Sequence, residues 1–115
     1  MPRAATTTDV FNAVAEPLRR RILDFLARGE QPVNAVVDSL RLGQPQVSKH
    51  LGVLKQVGLV SVRGNGRQRL YRVNAEGLKP IHDWVKAYEK LWADRLDRLD
   101  DYLQRLQSEG TLDDR

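Results

Sequence analysis

The chain has 115 residues, 41% of them hydrophobic and 30% charged, enough for one domain with a modest core and too few for a second. It contains no cysteine and two histidines, so disulfides, thiolate metal sites, cysteine nucleophiles and thiol redox sensing are all excluded. The net charge of +4 is uneven: residues 1–74 carry twelve Lys/Arg against five Asp/Glu and residues 75–115 seven against ten, so a polyanion is drawn to the first part and not to the last third.

Residues 1–7 are expected to be disordered, and a single domain to span 8–109. No hydrophobic segment follows Arg3, and no apolar run approaches a membrane span. No secretory signal or membrane partner is therefore expected, and the default location is cytoplasmic. Thr6-Thr7-Thr8 before Asp9-Val10-Phe11 reads as a helix start, with Asp9 favourable in the first turn. Pro17 suits a first helical turn, and Leu18, Ile22, Phe25 and Leu26 recur on one face of a helix that Gly29 ends. Within it, two of the three arginines Arg19, Arg20 and Arg21 are read as solvating the outer face.

After a Gln31-Pro32 turn, Val33, Val36, Val37 and Leu40 have helical spacing. Leu42-Gly43 interrupts it, and a second helix starts at Gln44-Pro45, running through Val47, Leu51 and Leu54 to Gly58. Two short helices about a glycine-containing turn form a helix-turn-helix. Two β-like runs follow, Leu59–Arg63 and Arg67–Val73, with Asn65-Gly66 expected at the turn, where positive φ is needed at both central positions. The expected fold is α+β and mostly α, a winged helix-turn-helix with a two-stranded wing.

From Ile81 to Glu109 there is neither Gly nor Pro, and an apolar stripe steps by three or four throughout, predicting one helix over about 78–108 and a frayed tail at 110–115. Over 78–106 such a helix is about 43 Å long, whereas a domain of this size has a radius of gyration of about 13 Å. The stripe outruns its own core, and a second copy is the simplest cover. The expected homodimer interface is Phe11, Ile81, Trp84, Val85, Tyr88, Trp92, Leu96, Leu99 and Leu103. An effector pocket lined by Trp84, Tyr88 and Trp92 is the alternative use of the aromatic residues.

At 100° per residue, Val47, Leu51 and Leu54 face inward and Pro45, Lys49, Gly52 and Gln56 face outward, with Gln46 and Ser48 on the flanks. Gln44 stands at the N-terminus, where a recognition helix reaches base edges. Gln pairs with adenine, Lys with guanine, Ser with base or phosphate. His50 lies nearer the core boundary, placed for packing or one phosphate contact. Arg63, Arg67 and Arg69 flank the hairpin tip, within reach of the phosphate backbone or a narrow minor groove. The bland reading is that they keep an exposed hairpin soluble.

The run Leu42-Gly43-Gln44-Pro45-Gln46-Val47-Ser48-Lys49-His50-Leu51-Gly52-Val53-Leu54-Lys55, followed by Gly58-Leu59-Val60, resembles the recognition-helix signature of ArsR/SmtB-type bacterial repressors. Glu16-Pro17-Leu18-Arg19 with Ile22-Leu23 is similar to that family's second helix, and Gly66-Arg67 with Tyr71 to its wing. The resemblance covers residues 9–106. It implies a dimeric repressor that leaves its operator on a signal, with Gln44, Pro45, Ser48 and Lys49 in the major groove of double-stranded DNA; the two-fold symmetry of a dimer, read from the apolar stripe, makes that operator palindromic. The departures from the family are on the metal side. The helix before the recognition helix has no cysteine, and the last helix offers only His82 and Asp83 on different faces. The resemblance is therefore to the non-metal-sensing branch, with no cofactor; it leaves room for a small-molecule effector but neither identifies one nor requires one. No nucleophile–base pair, phosphate loop or carboxylate dyad stands at usable spacing, so no catalytic residue is expected. The competing reading is a winged helix used only for protein contacts.

Overall fold

The computed structural model describes residues 9–113. The expectations for residues 1–8 and 114–115, including the threonine run, lie outside them. The chain divides into two units, the first through Ile81 and the second from His82.

In the first unit, α1 (Val10–Ala15) is capped by Asp9, whose carboxylate accepts from the Asn12 N–H at 2.9 Å. Asp9 is thus the N-cap itself, not a first-turn residue. Helix α2 (Pro17–Leu26) follows at once, with the Glu16 carboxylate accepting from the Leu18 N–H and Pro17 in its first turn. It ends at Leu26, three residues before Gly29. The Arg19 Nε donates to the Ala13 carbonyl at 2.8 Å and Arg20 Nη1 to the Val14 carbonyl at 2.7 Å. These are carbonyls of the last turn of α1, which its own helix leaves unpaired. Of the three arginines, two of which were expected only to solvate a face, Arg19 and Arg20 cap the preceding helix.

Gln31–Pro32 is not a free turn. It forms a two-residue strand, β1, antiparallel to β3 (Gln68–Val73), which pairs on its other side with β2 (Val60–Asn65). The sheet has three strands rather than two, and proline is tolerated because β1 is an edge. Helices α3 (Val33–Leu40) and α4 (Gln44–Gln56) complete the helix-turn-helix, with Arg41 in the left-handed region at φ 56°. Ala13, Ile22, Leu26, Val36, Val47, Leu51, Leu54, Leu59 and Val60 form the core. Each large aliphatic among them contributes about 1.5–3 kcal/mol by leaving water.

The end of α4 is clasped. Gly58 takes φ 85° and the Leu59 N–H reaches back to the Leu54 carbonyl at 2.9 Å, the long bond of a Schellman turn. Asn74 then donates from Nδ2 to the Gly58 carbonyl at 2.9 Å and from its N–H to the Leu59 carbonyl at 2.8 Å. A 3₁₀ turn, Ala75–Leu78, follows, and a Cβ on Gly77 would land on the Gly58 carbonyl. Only glycine fits there.

The second unit corrects the single long helix. Helix α5 (Lys79–Lys86), which begins in the first unit, stops, and α6 (Glu89–Asp113) begins after two residues. At the break the Ala87 N–H bonds to the Trp84 carbonyl and the Tyr88 N–H to the Val85 carbonyl, the tighter i→i−3 pattern. The rings of Trp84 and Tyr88 meet edge to face across it at 5.7 Å. Neither glycine nor proline marks the position, so no local signal announced it. Helix α6 continues past Gly110, where a frayed tail was expected.

Candidate nucleic-acid interface

On α4 the helical phase sorts the side chains cleanly. Val47, His50, Leu51 and Leu54 are buried, while Gln44, Pro45, Gln46, Ser48, Lys49, Gly52, Lys55 and Gln56 are exposed. His50 is the correction among the expected contacts. It stands three residues after Val47 and four before Leu54, on the inward stripe, and only 9% of it is accessible. Its buried Nδ1 has no hydrogen-bond partner. Burial, reinforced by the Arg19 charge, holds its pKa below the ordinary 6.5, so it packs as a neutral imidazole and is withdrawn from the polar surface.

The wing turn is shifted by one residue from expectation. Asn65 pairs with Gln68, so Gly66 and Arg67 are the central pair, and of these only Gly66 has positive φ, at 66°. Glycine at the first central position is the requirement of a type II′ hairpin, in place of the turn with positive φ at both central positions expected at Asn65-Gly66. Arg67 is carried to the very tip.

Antiparallel register also separates the arginines. Arg63 pairs with Leu70 and Gly64 with Arg69, and directly paired residues share a face of the ribbon while neighbours alternate. Arg63 and Arg69 therefore project from opposite faces. Arg67, Gln68 and Arg69 close a groove of about 240 Å³ with Gln44 of α4 and Pro32, Val33 and Asn34 at the start of α3. Neither α3 nor α4 has a side chain capping its N-terminus, so first-turn N–H groups of both helices remain to favour an anion alongside the two guanidinium groups. Arg63 instead forms a bidentate pair with Glu30, Nε to Oε2 at 2.8 Å and Nη2 to Oε1 at 2.9 Å. The Arg63 hydrogen bond holds the Glu30 carboxyl below its ordinary pKa. Asn34, Gln68 and Glu30 were missed as participants. Asn34 had a legible signal, an amide in the first turn of an uncapped helix, whereas Gln68 and Glu30 depend on strand register.

In the second unit and just before it, the expected interface residues are mostly exposed: Trp84, Val85, Tyr88, Trp92, Leu96, Leu99 and Leu103, with Leu91, Tyr102 and Leu106 beside them. Phe11 of the first unit is exposed at 42%, and Ile81 is half-buried. Trp92 lines two open hollows, one with Leu91, Arg95, Leu96 and Leu99 and one with His82, Val85, Lys86 and Glu89, and Trp84 and Tyr88 line neither. Among the described residues no group of three or more His, Asp or Glu could hold a metal ion, and no helix is long and apolar enough to cross a membrane.

Comparison with known proteins gives the same surface a context. The profile of the family described as "Bacterial regulatory protein, arsR family" matches residues 16–62. The chain is 31% identical over 77 residues to the transcriptional repressor SdpR of Bacillus subtilis, covering 67% of this chain and 86% of that protein. It is 36% identical over 105 residues to a probable mercury resistance operon repressor of Streptomyces lividans, covering 91% and 81%. Among solved structures, it is similar to the homodimeric winged helix-turn-helix DNA-binding domain (fragment 1–100) of a possible ArsR-family regulator from Mycobacterium bovis. That match has TM-score 0.60 and 30% identity, over 78% of this chain and 87% of that one.

Proposed function

Since this chain belongs to the arsR family of bacterial regulatory proteins, we propose that it is a sequence-specific DNA-binding repressor of transcription, a homodimer acting in the cytoplasm on a palindromic operator, and not an enzyme. The observation that carries the reading is the exposed polar face of α4 with Arg67 and Arg69 set beside Gln44 in one groove. Gln44, Gln46, Ser48 and Lys49, with Pro45 between them, enter the major groove and read base edges. Arg67 and Arg69 hold the flanking phosphates, and the groove beside Asn34 seats one of them. The exposed apolar stripe of α5 and α6, with Phe11, is covered by the second copy, which sets two recognition helices about 34 Å apart, one turn of duplex. The relatives named as repressors support this over a winged helix restricted to protein contacts.

The Streptomyces relative is named for mercury resistance. Thiolate is the ligand that soft metal ions prefer, and this chain has no cysteine, so a thiolate site for such an ion is no part of this reading. Selection of fragments from genomic DNA by the purified protein tests the reading. It should recover an inverted repeat with half-sites one helical turn apart; recovery of unrelated fragments with no shared sequence would contradict it.

A further inference from the structure

The ion pair Glu30–Arg63 has an unusual placement. Across the sheet, Pro32 stands opposite Leu70 and Leu70 opposite Arg63, so the three residues form one row over β1, β3 and β2. Strands lie about 4.8 Å apart, and a guanidinium from the far strand that reaches the residue preceding β1 therefore crosses the middle strand. Both nitrogens of its fork are used, and the Glu30 side chain is only 24% exposed. The pair ties the outer strand of the wing to the link between α2 and α3, the segment from which the helix-turn-helix starts. Arg63 is also absent from the groove that brings Arg67 and Arg69 to Gln44, and register turns it to the other face of the ribbon.

We propose that Glu30 and Arg63 are positioning residues, a strut across the sheet that fixes the wing against the helix-turn-helix and so delivers Arg67 and Arg69 to the DNA backbone, while Arg63 itself makes no DNA contact. The inference rests on the DNA-binding reading for its consequence, though the strut is a property of the free protein. A carboxylate held bidentately by Arg63 also lowers the positive potential on that face, which a phosphate-contacting arginine would not tolerate without first breaking the pair.

The test uses the full-length chain with Glu30→Gln, Arg63→Ala, the double variant, and the charge exchange Glu30→Arg with Arg63→Glu. In the DNA-free protein, amide hydrogen exchange at residues 64–69 should accelerate in both single variants and return towards the parent in the exchanged one. On a labelled duplex of arbitrary sequence at low salt, each single variant should weaken binding by about two- to fivefold, the range of an exposed ion pair. The double variant should be no weaker than either single one, and the salt slope should stay unchanged. Tighter binding by Glu30→Gln, or a slope reduced by about 0.9 in Arg63→Ala, would make Arg63 a phosphate contact and overturn the proposal. So would unaltered exchange in both single variants. If the parent binds no duplex, the DNA-binding reading fails, and the exchange experiment still decides the strut.

Discussion

His50 shows how one helix serves two surfaces with adjacent side chains. Lys49 points to solvent, and the next residue packs an imidazole against the core with Nδ1 unpartnered. Burial depresses its pKa below 6.5, so the unfolded chain binds a proton that the folded chain refuses. Stability is complete above about 6.5, declines as pH falls from there through the depressed value, and loses nothing further from this group below it. His50→Leu should flatten the decline between about pH 7 and 5.5 while leaving duplex affinity at neutral pH unchanged. Urea midpoints at the two pH values and a binding isotherm measure both, and an equal acid loss in the variant, or a lost affinity, would return His50 to the DNA surface. The burial was legible in the spacing, since Val47, His50, Leu51 and Leu54 make one helical stripe. Residue type alone argued the other way, because a histidine in a basic helix suits a phosphate equally well.

At the scale of elements, the helices were readable because their signals are local: Pro17 and Pro45 in first turns, apolar stripes at helical spacing, Gly58 closing α4. What escaped depends on partners distant in sequence. β1 is two residues long and includes proline, so only pairing with β3 reveals it. The arginines of α2 cap α1 through geometry set by the bend at Glu16, and the pairing of Asn65 with Gln68 displaces the wing turn by one residue. The break at Ala87–Tyr88 has no sequence marker at all. Gly77 belongs to this class, since what forbids a side chain is the backbone of Gly58 and Leu59. Gly77→Ala must push the 3₁₀ turn off the end of α4, at a cost of about 1–3 kcal/mol. Chemical denaturation should register the loss, and a change within about 0.5 kcal/mol, the scatter of ordinary surface substitutions, would show the clasp to be slack.

For the whole molecule, charge and hydrophobicity are divided along the chain. The basic excess lies in residues 1–74 and the exposed apolar stripe in the C-terminal helices. Trp84, Trp92, Leu96, Leu99 and Leu103 each stand at about half exposure, and a run of exposed large apolar side chains marks an interaction surface. Leu99→Asp, a charge in the middle of that stripe, should convert the proposed dimer to monomer in sedimentation. Because two half-sites are engaged only by two linked copies, it should weaken operator binding far more than binding to unrelated duplex. A Leu99→Asp dimer of undiminished stability would place the interface elsewhere. The fold and the polar face of α4 were legible from one sequence, but of the proposed dimer only the uncovered apolar surface was.

The most direct test of the central claim is the salt dependence of duplex binding by the intact dimer, on the selected operator and on a scrambled one. If α4 and the wing of each copy together neutralise about 6–10 phosphates, affinity should fall about 10³- to 10⁵-fold between about 50 and 200 mM salt. The operator should remain at least about 10³-fold preferred over the scrambled duplex. Absence of binding to either duplex at the lowest salt, or binding indifferent to both salt and sequence, would contradict the account.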